Sequence, residues 1–154
     1  MPSVIVTRSI AAPPQAVWAA VSDFEHAPQR VSAIKRLEIL TPQRPVGAGM
    51  RFRETRVMFG REATEEMTIT EWNPPHSYCI EARSCGAKYR SEIAVAAAHG
   101  GGSTLTMSFE AQPVTFMAKL LSPLSKLMMG ACRKALEKDL DDIGRSVTAG
   151  AQPA

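Results

Sequence analysis

The spacing of apolar residues changes twice along this chain, and each change predicts a different kind of element. Residues 3–10 are rich in β-branched side chains and predict a strand. Apolar residues then recur at helical spacing after Pro13 and Pro14, which suit a first helical turn. We therefore predict two short helices before residue 31, the second over about 23–30.

From residue 34 the apolar positions alternate every second residue, as they do in strands with one buried face. This alternation predicts six further strands, at 34–40, 50–59, 61–72, 76–84, 87–98 and 103–112. Turn residues such as Gly60 separate them, and the short connections are typical of an antiparallel meander.

After Pro113 the helical period returns. One apolar stripe runs from Met117 to Ile143 and predicts a long amphipathic helix over about 115–143, which Gly144 is expected to end. Such a stripe must pack on another surface. We therefore expect an α+β fold, in which a single domain over residues 1–144 packs the helix on the concave face of a seven-stranded antiparallel sheet. Residues 145–154 are predicted to form a flexible C-terminal tail.

Residues 51–72 carry charges in the same alternation frame as their apolar side chains. Glu54 and Arg56 share the frame of Phe52, and Glu65 shares the frame of Met67. Buried charges are costly unless paired, so on an inner face these groups could pair with one another and line a hydrated pocket. The alternative is a one-residue shift of register after a bulge, which would turn them to solvent.

The composition is that of an ordinary globular domain, with 154 residues, 45% hydrophobic side chains and a net charge of +3. Because the sequence has no dense basic run, we expect no nucleic-acid partner. Weak contact with an anionic membrane surface remains an alternative, through outward-facing Arg51, Arg53 and Arg61. The sequence has no segment approaching the ~20 apolar residues of a transmembrane span.

The cysteines and histidines predict no metal site. Cys79, Cys85 and Cys132 lack a C-x-x-C spacing and are expected to be reduced thiols, and the three histidines have no ligand spacing. The N-terminal apolar run is too short for a signal peptide. We therefore expect a cytoplasmic protein without metal or cofactor.

The order of elements and several segments resemble the START-like superfamily, also known as SRPBCC, which includes the birch-pollen-allergen fold and the polyketide cyclase/dehydrase and lipid-transport proteins. The matching segments are IAAPPQAVWAAVSDFE at 10–25, VGAG at 46–49, WNPP at 72–75 and GGSTL at 101–105. The resemblance implies a helix-grip fold, in which a curved sheet wraps around the last helix and leaves a cavity between them. Many members carry an aromatic pair where this chain has none, at 26–34, which predicts a wider or differently lined entrance.

Two functions fit such a cavity. The first is binding or carriage of a hydrophobic small molecule, held by apolar walls and oriented by a few polar groups. The second is a cyclase/dehydratase-type enzyme, with Glu54 or Glu65 as general base and Arg56 or Tyr89 stabilising an enolate oxygen. The predicted lining residues are Phe52, Glu54, Arg56, Glu65, Met67, Ile69, Tyr78, Tyr89, Ser91, Met107, Phe109, Leu121 and Met128.

Overall fold

The structure is a computed structural model that describes residues 3–42, 45–58, 60–84, 87–113 and 125–151. Its helices are α1 (Pro14–Val21), α2 (Ala27–Arg30) and α3 (Ser125–Ala151). Its strands are β1 (Ser3–Ile10), β2 (Ile34–Ile39), β3 (Arg51–Met58), β4 (Arg61–Asn73), β5 (Ser77–Ser84), β6 (Ala87–Ala97) and β7 (Ser103–Pro113). A short 3₁₀ turn, His99–Gly101, precedes β7.

The seven strands form one antiparallel sheet in the order β1-β7-β6-β5-β4-β3-β2. Strands β2 to β6 are each paired with the next strand along the chain, and β1 pairs with β7 to form one edge of the sheet. Gly60, in the connection from β3 to β4, has a φ of 74°, a left-handed conformation that glycine adopts without strain. The predicted fold, a seven-stranded antiparallel sheet with two short helices and a C-terminal helix, is confirmed.

The register of β3 and β4 shows which face of the sheet carries the charges of residues 51–72. Phe52 lies opposite Met67, and Glu54 lies opposite Glu65, so all four side chains share one face. The register shifts of β2 and β4 fall outside this stretch, at 34/36 and 69/71. The alternative in which a bulge turns the charges outward is therefore wrong, and they lie on the inner face.

Helix α3 packs along this inner face, mainly against β1. Leu140, Ile143 and Val147 are buried there. Gly144 lies inside the helix, where a Cβ would approach Ile10 Cγ1 to 3.7 Å. The predicted helix end at Gly144 and flexible tail from 145 are therefore wrong as far as Ala151, because burial of Val147 holds another turn on the sheet. The predicted start near 115 lies outside the described residues.

An aromatic cluster closes the inner face near the turn between β4 and β5. Its ring centroids lie between 5.1 and 6.0 Å apart, and its members are Trp18, Phe24, Phe52, Trp72 and Tyr78. The Tyr78 hydroxyl donates a hydrogen bond of 2.7 Å to the carbonyl of Val21, which ties the sheet to α1. Trp18 is only half buried, since it packs on the rim of this cluster.

Candidate ligand-binding site

The inner face of the sheet is fully buried in one region and half buried in another. Ile69, Tyr78, Ile93 and Leu105 belong to the closed core. Farther along the same strands, the inner-facing side chains keep part of their surface exposed. This half-buried patch consists of Met67, Ile80, Ala82, Tyr89, Ser91, Met107, Phe109 and Ala111.

The half-buried patch is mainly apolar and is continuous across β4, β5, β6 and β7. Tyr89 and Phe109 stack in its centre, with ring centroids 5.5 Å apart and planes inclined by 22°. Ser91, opposite Phe109, adds a hydroxyl. An apolar surface with a few polar groups is the usual composition of a small-molecule site.

A polar cluster of Glu54, Arg56 and Asp139 joins β3 to α3 beside this patch. Arg56 Nη1 donates to Asp139 Oδ2 at 2.9 Å, and Arg56 Nε lies 3.4 Å from Glu54 Oε2. The exposed fractions of the side chains are 11% for Glu54, 18% for Arg56 and 5% for Asp139. One guanidinium thus holds two buried carboxylates, one from the sheet and one from the helix.

The electrostatics of the polar cluster favour proton uptake by its acids. Burial raises the pKa of Glu54, Arg56 opposes this, and the charge of Asp139 adds to the rise. Burial likewise raises the pKa of Asp139, against the pull of Arg56. Burial alone would lower the pKa of Arg56, but the two carboxylates outweigh it and raise that pKa instead. With both acids ionised the cluster carries one uncompensated negative charge, which buried sites disfavour.

Asp139 was absent from the residues predicted from the sequence. It follows Ala135 by four residues and Cys132 by seven, so it lies on the apolar stripe of α3. An acidic residue within such a stripe is the signal that could have identified it. Asp139 Oδ1 is buried and has no hydrogen-bond partner among the described residues.

Cys132 lies on the same side of α3 as Asp139. Its thiol is half buried, and burial raises its pKa while the charge of Arg56 lowers it.

Glu65 is brought beside the polar cluster without joining it. It is half buried opposite Glu54, and the ion pairs of the described residues do not include it. It precedes Met67 on the inner face, so it lies between the polar cluster and the half-buried patch. The structure therefore brings three of the four proposed acid–base residues to one place. Tyr89 lies in the patch on β6, two strands from Glu65 and three from Glu54 and Arg56.

Three predicted lining residues lie in the closed core instead. Phe52, Ile69 and Tyr78 are at most 5% exposed. Phe52 and Tyr78 pack in the aromatic cluster, which also raises the pKa of Tyr78 through burial, with a smaller contribution from the charge of Glu54. Leu121 lies outside the described residues, as does the side chain of Met128.

The outer face of the same strands carries a different surface. A groove of about 540 Å³ lies there beside β2, and its lining consists of Pro28, Arg36, Leu37, Glu38, Arg53, Thr55 and Thr64. Most of these residues point away from the polar cluster, so this groove is distinct from the predicted cavity.

The outward arginines are partly compensated by cross-strand glutamates. Arg53 Nη1 donates to Glu38 Oε2 at 3.0 Å, and Arg51 pairs with Glu66. This pairing weakens the case for an anionic membrane surface as partner. Within the described residues, no helix is long and apolar enough to cross a membrane.

One group of possible metal ligands occurs on the outer face within the described residues, formed by Glu71, Cys79 and Glu92. The Cys79 thiol lies 3.2 Å from Glu71 Oε2, and Arg90 Nη2 approaches its sulfur to 3.1 Å. Burial and the hydrogen bond to Glu71 raise the pKa of Cys79 to about 12. The guanidinium of Arg90, which contacts both this sulfur and Glu71, suits a charge network better than a cation site.

Comparison with known proteins identifies the family. A family model described as "Polyketide cyclase / dehydrase and lipid transport" matches residues 1–147. The chain belongs to this family. No curated protein matches the sequence significantly.

Several solved structures of low sequence identity share the fold of this chain. Protein TTHA0849 from Thermus thermophilus is 20% identical, with a TM-score of 0.80 over 98% of this chain and 100% of that one. The Zhui aromatase/cyclase from Streptomyces sp. R1128 is 14% identical, with a TM-score of 0.77 over 98% and 96%. Ara h 8.0201 is 18% identical, with a TM-score of 0.72 over 96% and 98%. The predicted START-like resemblance is thereby confirmed.

Proposed function

We propose that this protein binds or carries an apolar small molecule on the half-buried patch, between the sheet and its C-terminal helix. The observation that carries the proposal is the change along the inner face from closed core to half-buried apolar surface. In a well-packed domain this face would be filled throughout, because protein interiors are packed as densely as organic crystals. Membership of a family that includes lipid-transport proteins agrees with a ligand of this kind.

The polar cluster gives the proposed site a direction. Glu65 lies two residues before Met67 on the inner face, which is about 7 Å along a strand. A ligand whose apolar body covers Met67 and Tyr89 therefore reaches Glu65 with one end, and Glu54 of the polar cluster lies opposite Glu65 on the next strand. The polar groups orient the ligand, and the apolar patch supplies most of the buried area.

Titration with N-phenyl-1-naphthylamine, a neutral probe that fluoresces in apolar surroundings, tests the proposal. We expect saturable enhancement with one site per chain. Ala82→Trp should abolish it, because Ala82 lies between Met67 and Tyr89 in the half-buried patch and an indole there would fill the space.

The matched control is Ala96→Trp, which adds the same group at an exposed position of the outer face. This variant should bind the probe as the wild-type protein does. Circular dichroism and thermal unfolding of both variants verify that they fold. Equal binding by Ala82→Trp and wild type would place the probe elsewhere and refute the proposal.

Acid–base catalysis of the cyclase/dehydratase type is a second candidate, favoured by two buried carboxylates of raised pKa around one arginine. Glu54 would take a proton from the carbon next to a ketone, and Arg56 would stabilise the enolate oxygen. Deuterium incorporation into 2-tetralone, followed by NMR, tests it. Exchange that is accelerated by wild type and lost in Glu54→Gln would support catalysis, whereas exchange at the buffer rate would leave only binding.

A further inference from the structure

We infer that the ligand is an apolar molecule bearing a protonated amine, which the unpartnered carboxylate oxygen of Asp139 receives. The inference rests on the proposed function and names the ligand class of the same site.

The polar end of the site carries an excess of acidic side chains. Strand β3 contributes Glu54 and Arg56, β4 contributes Glu65, and α3 contributes Asp139. Three acids thus meet one base. An ammonium group would reduce this excess of negative charge, whereas a carboxylate would add to it.

Neighbouring cations of α3 do not remove the excess. Lys138 donates to Asp142 at 3.1 Å and to Ser32, and Arg145 pairs with the same aspartate. These contacts join α3 to the segment after α2. The nearby lysine and arginine are therefore already bound to a carboxylate of their own.

One carboxylate of the polar cluster has an unpartnered acceptor. Asp139 Oδ2 accepts from Arg56, while its buried Oδ1 has no donor among the described residues. A buried acceptor without a donor is costly, and the great majority of such groups in native proteins have a partner. An ammonium group offers three donors to that oxygen and to the neighbouring carboxylates.

The polar end of the site is partly exposed. Arg56 keeps 18% of its side chain exposed and Glu65 is half buried, so the polar cluster is not sealed. Strand β6, with Tyr89, lies two strands from β4, or about 10 Å across the sheet. The polar cluster begins on β3, one strand farther. A body of two fused rings that covers Met67 and Ala82, with a spacer of one to three atoms, would reach Glu65 and the adjoining Glu54.

Three ligands that share one naphthalene body test the inference: 2-(naphthalen-1-yl)ethylamine, 2-(naphthalen-1-yl)ethanol and 1-naphthylacetic acid. Each displaces N-phenyl-1-naphthylamine in competition at pH 7.5 and at low salt. We expect the amine to bind about tenfold more tightly than the acid, with the alcohol between them. In Asp139→Asn the advantage of the amine over the alcohol should be lost.

Asp141→Asn is the matched control, because it removes the same charge two residues away on α3, from an exposed carboxylate paired with Arg8. It should retain the preference for the amine. If Asp139→Asn fails to fold, Glu65→Gln serves instead and should reduce the preference.

Two sets of outcomes would overturn the inference. Binding of the acid or the alcohol as tight as that of the amine would do so while leaving the proposed function intact, and so would an unchanged preference in Asp139→Asn. If neither the probe nor any of the three ligands binds, the proposed function itself fails.

Discussion

Replacing Arg56 by Leu should destabilise the protein strongly, because it removes the guanidinium that pairs with two buried carboxylates. The guanidinium lies 2.9 Å from Asp139 and 3.4 Å from Glu54. With an effective dielectric constant of about 20, these contacts correspond to roughly 6 and 5 kcal/mol of gross attraction. The variant no longer has to desolvate a buried guanidinium, and this gain offsets much of the lost attraction. Breaking a buried pair on one side typically costs about 3–5 kcal/mol, which is the loss we expect near pH 8.

The loss should shrink on acidification. Without Arg56 the pKa values of Glu54 and Asp139 rise further, so both acids can bind protons and become neutral in the folded state. Groups whose pKa is raised by folding contribute stability at low pH and lose that contribution as the pH rises. The variant should therefore approach the wild-type free energy of unfolding near pH 4.

Urea unfolding of Arg56→Leu at several pH values measures this difference. The matched control is Arg53→Leu, the same substitution on the same strand but on the outer face, where Arg53 is 45% exposed and pairs with Glu38. An exposed pair contributes about 0–1 kcal/mol. If the two variants differ by less than 1 kcal/mol at pH 8, roughly the scale of such a pair, the polar cluster is not the buried network described above.

Three further predictions concern the polar cluster and α3. Glu54→Gln should become more stable relative to wild type as the pH rises above about 4, because the raised pKa of Glu54 makes its ionised form the unfavourable one; a difference independent of pH in urea unfolding would contradict this. Val147→Ala should lower the free energy of unfolding by about 1–3 kcal/mol in urea unfolding, since the Val147 side chain, in the last turns of α3, is buried. If this segment were a flexible tail, the free energy of unfolding would not change. Iodoacetamide at pH 8 should modify Cys132 before Cys79, because the Cys79 thiol is buried and its pKa is raised to about 12. Peptide mass spectrometry measures the order, and faster modification of Cys79 would contradict the burial of its thiol.

Periodicity alone predicted most of the fold. The alternation that begins at residue 34 and its Gly- and Pro-rich turns fixed the strands, and the inner frame that includes Glu54, Arg56 and Glu65 was assigned correctly. The end of α3 was predicted too early. Glycine commonly follows the last turn of a helix, but Gly144 lies inside α3 and packs close to Ile10 of β1. Local propensity cannot include that contact.

The site was harder to predict than the fold. The inner frame shows which side chains face the helix, but it does not show which of them other elements cover. Phe52 and Tyr78 were therefore predicted to line a cavity, although the aromatic cluster buries them. Asp139 was missed because an acid on a helix is ordinarily solvated, and its burial depends on an arginine 83 residues away in sequence.

The central claim is that an apolar ligand occupies the half-buried patch under the C-terminal helix. The most direct measurement uses the chain's eight methionines as NMR reporters, labelled with ¹³C at the methyl group and titrated with 2-(naphthalen-1-yl)ethanol. Met67 and Met107 lie in the patch, whereas Met50 is fully buried in the closed core. We expect ring-current shifts and intermolecular Overhauser effects at the methyl groups of Met67 and Met107, and little change at Met50. Saturable binding that leaves both patch methionines unperturbed would contradict the account.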